Sequence, residues 1–341
     1  MSIRATTFAL ATLAVAGLSA AAAAQGVTTL KFANFDLPTN PPQATAFEPW
    51  ARQVEKDSEG TLKIDFYSAG ALGRDLRNQL ELLTNGVADI AWVVPAFTPG
   101  RFPDVVVTSV PFSYNSSLEG SVASTRLYTR GLLRGFDEVM VPMLFMLAAP
   151  PAIHSTKPLP NLEALKGLKI SARTDLQMRL LSQLGATPVT GVIDSNSAEN
   201  MSRGVIQADL ANFTGTVMFK THDLAKHVLA LPMGGTMLSV GMNKEAYAKL
   251  PPKAKAAVDK NRLEPFARIW ANGIGGNEQS IIERVKADPQ RTWTELSPAE
   301  RARLEGMVQP AIDDLATRND KAKELVAAFR EEVLKVRAEK K

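Results

Sequence analysis

The ten residues KGLKISARTD, from Lys166 to Asp175, combine a short apolar strand pattern with a cationic side chain at its carboxyl end. Arg173 follows the predicted strand directly, and Thr174 or Asp175 is a suitable N-cap for the next helix. An arginine can bind a carboxylate through two parallel hydrogen bonds, and the free N–H groups of a helix N-terminus also attract anions. The stretch therefore predicts either an anion contact at Arg173, or else a local ion pair of Arg173 with Asp175 or a solvated charge.

Aromatic residues near the ends of other predicted strands could form the wall of a binding pocket. Most small-molecule pockets are largely apolar and contain a few polar groups that orient the ligand. Arg101, in the loop TPGRFP, could add a second cation. The alternative for each aromatic residue is core packing, and for Arg101 a structural role. The aromatic candidates are Phe35, Tyr67, Trp92 and Phe213.

Residues that could carry catalysis are scarce in this chain. It has three histidines, of which His222 and His227 are five positions apart and would point about 140° from each other on one helix. A two-histidine metal site on a helix uses positions i and i+4. His154 falls in a predicted connector and is expected at the surface. No nucleophile elbow, phosphate-binding loop or dinucleotide fingerprint occurs, so we predict no enzyme, no cofactor and no metal.

Composition and the first residues restrict the compartment and the partners. The 341 residues include no cysteine, which excludes a disulfide scaffold, and the net charge of +4 comes from scattered basic residues, which do not indicate a nucleic-acid partner. Residues 1–24 combine Arg4, an apolar run and an Ala-rich cleavage pattern, and they predict a cleavable signal peptide and export to the periplasm. No later run reaches the roughly 20 apolar residues that a membrane span needs.

The remaining chain alternates predicted strands and helices, which favours an α/β fold with a parallel sheet. The segments LRNQLELLTNGVADIAW and SNSAENMSRGVIQADLANF share one plan, in which a helix ends at glycine and a strand follows. In a two-lobed protein both strands would end at the same crevice, where ligands bind. Trp92 and Phe213 hold similar places in the two units. We predict mostly helix for MFKTHDLAKHVLAL and from residue 297 onward.

Six motifs, in order, give the chain a family resemblance. They are DIAWVVPAFTPGRFP, VPFSY, LEALKGLKI, LGATPV, SRGVIQA and VGMNKEAYAKLPPKAKAAVD. Together they resemble the extracytoplasmic solute-binding proteins of tripartite ATP-independent periplasmic (TRAP) transporters, of the DctP type. The resemblance implies a two-lobed periplasmic-binding-protein α/β fold with interlobe strands and a long spanning helix. We expect lobe I at residues 25–150 plus about 237–280, and lobe II at 151–236 plus about 281–341.

The resemblance also implies a function. The protein would enclose an organic acid, aromatic or aliphatic, between its lobes and deliver it to membrane permease subunits, as a monomer or a homodimer. Two alternatives stay open: a ligand-sensing binding protein, and a periplasmic hydrolase on the same fold.

The chain departs from the family pattern at the strand that usually carries the clamp for the ligand carboxylate. Relatives read G-L-K-I-R-x-P, whereas this chain has Ser171 at the arginine position and Arg173 two places later. Side chains at i and i+2 of a strand point the same way, about 6–7 Å apart. Either Arg173 replaces the clamp, or the clamp is lost and Ser171 donates a hydrogen bond to a less charged ligand.

A second departure concerns the neighbouring strand. Relatives often read V-I-D-G-x-x-x-P-W-E, and this chain reads VIQADLANFT. Phe213 would keep an aromatic wall, while Asn212 would offer a neutral hydrogen-bonding group in place of part of the usual motif. The two departures together predict a ligand that differs from the family's commonest one.

Overall fold

The computed structural model describes residues 26–339, so the predicted signal peptide lies outside the described residues. The strands are β1 (Thr28–Ala33), β2 (Leu62–Tyr67), β3 (Ile90–Val93), β4 (Val141–Met146), β5 (Ala152–Ser155), β6 (Lys169–Ser171), β7 (Thr187–Val189), β8 (Ala208–Ala211), β9 (His227–Ala230), β10 (Leu238–Met242) and β11 (Thr292–Glu295). The α-helices are α1 (Glu48–Asp57), α2 (Gln79–Thr84), α3 (Ser117–Thr129), α4 (Phe136–Val139), α5 (Asp175–Gln183), α6 (Asp194–Ser202), α7 (Phe213–Met218), α8 (Thr221–Leu224), α9 (Lys244–Ala248), α10 (Pro252–Asn261), α11 (Glu264–Ala287), α12 (Pro298–Ala316) and α13 (Ala322–Ala338). A π-helical turn (Gln43–Phe47) precedes α1.

The strands form two mixed sheets, one for each lobe. The first has the order β2-β1-β3-β10-β4, and the second has the order β11-β9-β5-β8-β6-β7. The predicted parallel pairing holds for β1 with β2 and β3. It is wrong for the whole sheet, because β10 enters from the second lobe and lies antiparallel to both β3 and β4.

Four strands differ from the sequence-based expectation. The connector predicted around His154 contains β5, and the segment predicted to be helical around His227 contains β9. Neither β10 nor β11 was predicted. Short apolar runs such as HVLA carry no periodicity that separates a strand from a helix. Their strand conformation depends on pairing, because β5 lies between β8 and β9.

Three segments connect the two sheets. Residues 147–151 lead from β4 to β5, residues 231–237 lead from β9 to β10, and α11 crosses once more before β11. Helix α11 packs against α3 and β4 in the first lobe and against α7 and β11 in the second, so it is the long spanning helix. At Gly273 the helix packs closely against the backbone of Thr45, and a Cβ atom added there would lie 2.5 Å from the carbonyl oxygen of Thr45.

Each lobe has its own apolar core. In the first, Trp50 stacks on Phe266 with ring centroids 4.3 Å apart, and both side chains are fully buried. In the second, β5, β6 and β8 bury their apolar side chains against α5 and α12. The C-terminal helix α13 packs against α3 of the first lobe. The numbered lobe boundaries remain a prediction.

Candidate ligand-binding site

Two adjoining cavities lie between the lobes and share part of their walls. Residues from both lobes line both cavities, so the two form one cleft. The shared wall comes from the end of β3, the crossing segment 147–151, the start of β10 and the N-terminal ends of α6 and α7. This is where carboxyl ends of strands in α/β proteins usually meet their ligands. The shared residues are Val94, Ala148, Asp194, Asn212 and Leu238.

Arg173 reaches the first cavity from a well-fixed turn between β6 and α5. Thr174 caps α5: its Oγ1 accepts a hydrogen bond from the N–H of Gln177, and the Gln177 side chain accepts one in return from the N–H of Thr174. Gln177 Oε1 also accepts from the N–H of Arg173, 3.0 Å away. The prediction that Thr174 or Asp175 caps this helix is confirmed, and the cap holds the backbone of Arg173 in place.

The guanidinium of Arg173 lies between two carboxylates, neither of which belongs to Asp175. Nη1 and Nη2 donate to Oδ1 and Oδ2 of Asp209 at 2.8 and 3.0 Å. Nε and Nη2 donate to Oδ1 of Asp194 at 3.1 and 2.7 Å. The arginine side chain is only 8% exposed. The predicted local ion pair of Arg173 with Asp175 is therefore wrong, and the partners lie 21 and 36 residues further along the chain.

Ser171 also faces Asp209. Its Oγ donates a hydrogen bond of 2.6 Å to Oδ1 of Asp209, and both residues are fully buried. Burial on its own would raise the pKa of Asp209, but the charge and hydrogen bonds of Arg173 outweigh it, so the pKa is lowered. Burial opposes the charge on Arg173 as well, and the two carboxylates raise its pKa above the ordinary value. Ser171, Arg173 and Asp209 thus form one charged, hydrogen-bonded unit under the cleft.

Aromatic side chains line the second cavity. The rings of Phe35 and Trp92 lie 4.4 Å apart at 30°, and Trp270 meets Trp92 edge-on at 6.3 Å. Phe219 contributes from the second lobe. Trp92 is 4% exposed, and its Nε1–H has no hydrogen-bond partner within residues 26–339. A buried indole N–H usually has an acceptor, so the unpaired donor of Trp92 is an exception in the wall of this cavity.

The other sequence candidates lie in different places. Asn212 lines both cavities, and its Oδ1 caps α7 by accepting from the N–H of Gly215 at 2.7 Å. Phe213 lies in the core of the second lobe, edge-on to His154. Tyr67 ends β2 and is 36% exposed. Arg101 lines a separate surface depression with Arg77 and Glu138. Neither Tyr67 nor Arg101 lines the two cleft cavities.

The surface position expected for His154 is wrong. His154 lies in β5, is 1% exposed and contacts the carbonyl oxygen of Ala211 through Nε2 at 3.2 Å. Burial lowers the pKa of this imidazole to about 4. The residue is a neutral part of the core at physiological pH.

Sequence reasoning missed three residues of the site. Asp209 stands inside an apolar run, and a buried acid of this kind needs a cationic partner, which was a usable signal. Trp270 follows Phe266 by four residues and shares its helix face, so core packing and pocket lining look alike in the sequence. Asp194 begins a helix, where acids are common because the helix dipole favours negative charge, so its position gave no specific signal of a binding site.

A buried acid also lies where the lobes are connected. Glu278 of α11 accepts a hydrogen bond from the N–H of Ala149, in the crossing segment, at 2.5 Å, and a longer one from the N–H of Thr214 at 3.4 Å. Burial raises its pKa to about 7, although these backbone hydrogen bonds lower it. Glu278 thus joins the spanning helix to both sides of the cleft.

Within residues 26–339, no cluster of three or more histidine, cysteine, aspartate or glutamate residues could hold a metal ion. Over the same residues, every helix is too short or too polar to cross a membrane.

Two solved structures similar to this chain are TRAP solute-binding proteins. A TRAP solute-binding protein from an unidentified marine microbe, specific for aromatic acid ligands and crystallised with 3-hydroxybenzoate, is 25% identical. It superposes with a TM-score of 0.84 over 91% of this chain and 99% of that chain. A TRAP solute-binding protein from Rhodoferax ferrireducens, in complex with copurified benzoate, is 22% identical, with a TM-score of 0.83 over 92% of this chain and 100% of that one. At this level of identity, the similarity to the Rhodoferax ferrireducens protein shows a shared fold.

Sequence comparison adds one relative and a family model. The protein named outer membrane transporter protein TsaT, from Comamonas testosteroni, is 26% identical over 259 residues, which are 74% of this chain and 75% of TsaT. The model of the DctP family, bacterial extracellular solute-binding protein family 7, matches residues 32–319, which include the second sheet, most of the first sheet and the whole cleft. The chain therefore belongs to the DctP family of bacterial extracellular solute-binding proteins, the family of the TRAP transporter receptors.

Proposed function

We propose that this protein captures an aromatic monocarboxylate in the cleft and delivers it to the membrane subunits of a TRAP transporter. The observation that carries the proposal is the junction of an aromatic cavity with a cavity that holds one buried guanidinium. Phe35, Trp92 and Trp270 supply the aromatic wall, and Arg173 supplies the cation. The relative that is specific for aromatic acids supports the same ligand class.

The two parts of the cleft would divide the work of recognition. The aromatic ring of the ligand would displace water from the surfaces of Phe35 and Trp92. Stacked or edge-on ring pairs contribute more stabilisation than their buried apolar area alone. The ligand carboxylate would approach Arg173, and the free side-chain amide of Asn212 could donate to it from the second lobe. Because residues of both lobes would contact the ligand, binding would favour the closed arrangement of the lobes.

The chemistry of the cleft favours binding over turnover. The charged residues that line the two cavities in the described chain are Arg173 and Asp194, and they pair with each other. Among the described residues, the cleft walls carry two aliphatic hydroxyl side chains, Thr214 and Thr236, and neither is hydrogen-bonded to a histidine that could activate it. Export through the signal peptide at residues 1–24 and delivery to a permease complete the proposal.

A ligand screen tests this proposal directly. The exported form, beginning at Gln25, should melt at a higher temperature in benzoate and 3-hydroxybenzoate than in succinate or glucuronate. A ligand present at 100 times its Kd adds about 2.7 kcal/mol to the free energy of unfolding, which is easily measured. Titration calorimetry should then give one ligand per chain.

Matched molecules separate the two recognition elements. Cyclohexanecarboxylate keeps the carboxylate and loses the aromatic ring, whereas benzamide keeps the ring and loses the charge. Weaker binding of both than of benzoate would support the proposal. Stabilisation by glucuronate or succinate alone would overturn the aromatic assignment and leave the protein as a receptor for aliphatic acids.

A further inference from the structure

The cation of the cleft is already occupied. Arg173 has five N–H donors, and four of them point at carboxylates: two bond Asp209 and two bond Asp194. The edge formed by Nη1 and Nη2 is held by Asp209, which is fully buried and also bonded to Ser171. The edge formed by Nε and Nη2 is held by Asp194. No edge of the guanidinium remains for bidentate binding of a ligand carboxylate.

The net charge of this cluster also opposes the binding of a ligand carboxylate. The cluster of Arg173, Asp194 and Asp209 has one positive and two negative side chains, so it carries an excess negative charge. A ligand carboxylate added to this cluster would be repelled, because like charges at short range raise the free energy of a partly buried site. The guanidinium that should attract an acid is therefore neutralised by the protein itself.

The two aspartates differ in their freedom to move. Asp209 lies in the middle of the second sheet and its side chain is 1% exposed. Asp194 is the first residue of α6, its side chain is 28% exposed, and it lines both cavities. The Asp194 carboxylate therefore borders open space into which it could turn, whereas the Asp209 carboxylate is enclosed.

We propose that Asp194 is an internal competitor of the ligand carboxylate, occupying the Nε and Nη2 edge of Arg173 until a ligand displaces it. This inference rests on the proposed function and names how the same site selects its ligand. Because the competition must be overcome, only a carboxylate that gains enough from the aromatic wall binds tightly. Small aliphatic acids, which bury little area, would be rejected. The apparent affinity equals the intrinsic affinity multiplied by the fraction of molecules in which Asp194 has left Arg173, so a small fraction means weak binding.

Asp194→Asn tests the proposal, because asparagine keeps the shape and removes the charge. The affinity of benzoate, measured by titration calorimetry at neutral pH, should rise about tenfold or more, since the ligand no longer competes with a charge-assisted hydrogen bond. The affinity of acetate and propionate should rise as well, narrowing the selectivity for aromatic acids. The affinity of benzamide, which has no charge, should stay within about twofold of the wild type.

Two controls exclude indirect effects. Glu199→Gln removes a negative charge from the same helix at an exposed site paired with Arg203, and it should leave benzoate affinity unchanged. Asp194→Ser provides a second variant if asparagine reduces folding, and it should also tighten benzoate binding. A melting temperature measured without ligand shows that each variant is folded.

The outcomes separate this inference from the proposed function. If wild-type protein binds benzoate but Asp194→Asn binds it equally or less tightly, Asp194 does not compete and the inference is wrong, while the aromatic assignment stands. If Asp194→Asn tightens benzoate and benzamide alike, the effect does not depend on the ligand charge and the inference is also wrong. If neither protein binds any of the acids, both the inference and the proposed function fail.

Discussion

Arg173 and Asp209 form a bidentate ion pair, with Nη1 to Oδ1 at 2.8 Å and Nη2 to Oδ2 at 3.0 Å, beneath the cleft between the lobes. Both side chains are at least nine-tenths buried, and they join the end of β6 to the middle of β8. The pair therefore has two consequences: it orients the guanidinium toward the cleft, and it couples the binding site to the stability of the second lobe.

Removing one member of this pair should destabilise the protein. We expect Asp209→Asn to lower the free energy of unfolding by about 1–3 kcal/mol, because Arg173 would lose one of its two charged partners and keep Asp194. Urea denaturation measures this difference. Asp175→Asn is the matched control, since Asp175 is exposed and makes no contact with Arg173, and its effect should stay within about 1 kcal/mol. Equal effects of the two substitutions would contradict the structural role of the pair.

The sequence predicts Arg173 as a cleft residue but not its partners. The strand LKISA and the helix cap at Thr174 are local features, and local patterns locate them well. Asp194 and Asp209 come from separate elements, and their approach to Arg173 depends on how β6 and β8 pair. The family resemblance supplies the two lobes, yet it cannot place a guanidinium that stands two residues from its usual position.

Sequence patterns could not distinguish the roles of Trp92 and Phe213, which look equivalent in the sequence. Both follow a helix, a glycine and a strand. Trp92 lies within β3 and faces the cleft, whereas Phe213 begins α7 and turns into the core beside His154. The two side chains point differently because Trp92 lies inside a strand, whereas at Phe213 the chain has already left β8 and entered α7.

Trp92 should report ligand binding through its fluorescence. A ligand in the aromatic cavity would contact Trp92 and accept a hydrogen bond from its Nε1–H, which has no partner in the described chain. Trp92→Phe should therefore reduce the emission change that benzoate causes, leaving the part that arises from Trp270 in the same wall, and weaken binding by about 1 kcal/mol.

Trp293→Phe is the matched control for this measurement. Trp293 stacks on Phe213 in the second lobe and donates its Nε1–H to Glu295, away from the cleft walls. The ligand-dependent emission change should survive this substitution. A signal that disappears in Trp293→Phe and persists in Trp92→Phe would place the ligand elsewhere.

Two glycines of the spanning helix should respond in opposite ways to substitution by alanine. A Cβ at Gly273 would lie 2.5 Å from the backbone oxygen of Thr45, so the helix would have to move, at a cost of about 1–3 kcal/mol in stability. A Cβ at Gly276 would meet nothing within 4 Å, and alanine in a helix interior is better than glycine by about 0.5–1 kcal/mol.

Thermal denaturation of Gly273→Ala and Gly276→Ala checks this pair of expectations. The first variant should melt below the wild type and the second above it. Because Gly273 lies where α11 contacts the first lobe, Gly273→Ala should also weaken ligand binding. Stabilisation by both substitutions would show that the helix is not held tightly against Thr45.

The buried acid at the lobe connection should give the protein a pH-dependent stability. The pKa of Glu278 is raised by burial to about 7, above its ordinary value of 4.5, so the folded state binds this proton more tightly than the unfolded state. Its contribution to stability is therefore complete below pH 4.5 and is lost as pH rises through 7. Over that interval the loss amounts to about 3 kcal/mol.

Glu278→Gln isolates this contribution, because glutamine stays neutral and still offers an oxygen to the N–H of Ala149. The buried His154, whose pKa is lowered to about 4, acts in the opposite direction below pH 6.5, but it is present in both proteins and cancels in the difference. The free energy of unfolding of Glu278→Gln minus that of the wild type should therefore rise between pH 5 and pH 8. Glu283→Gln, at an exposed position of the same helix, should show no such rise, and a flat difference for Glu278→Gln would mean that Glu278 keeps its charge in the folded protein throughout this range.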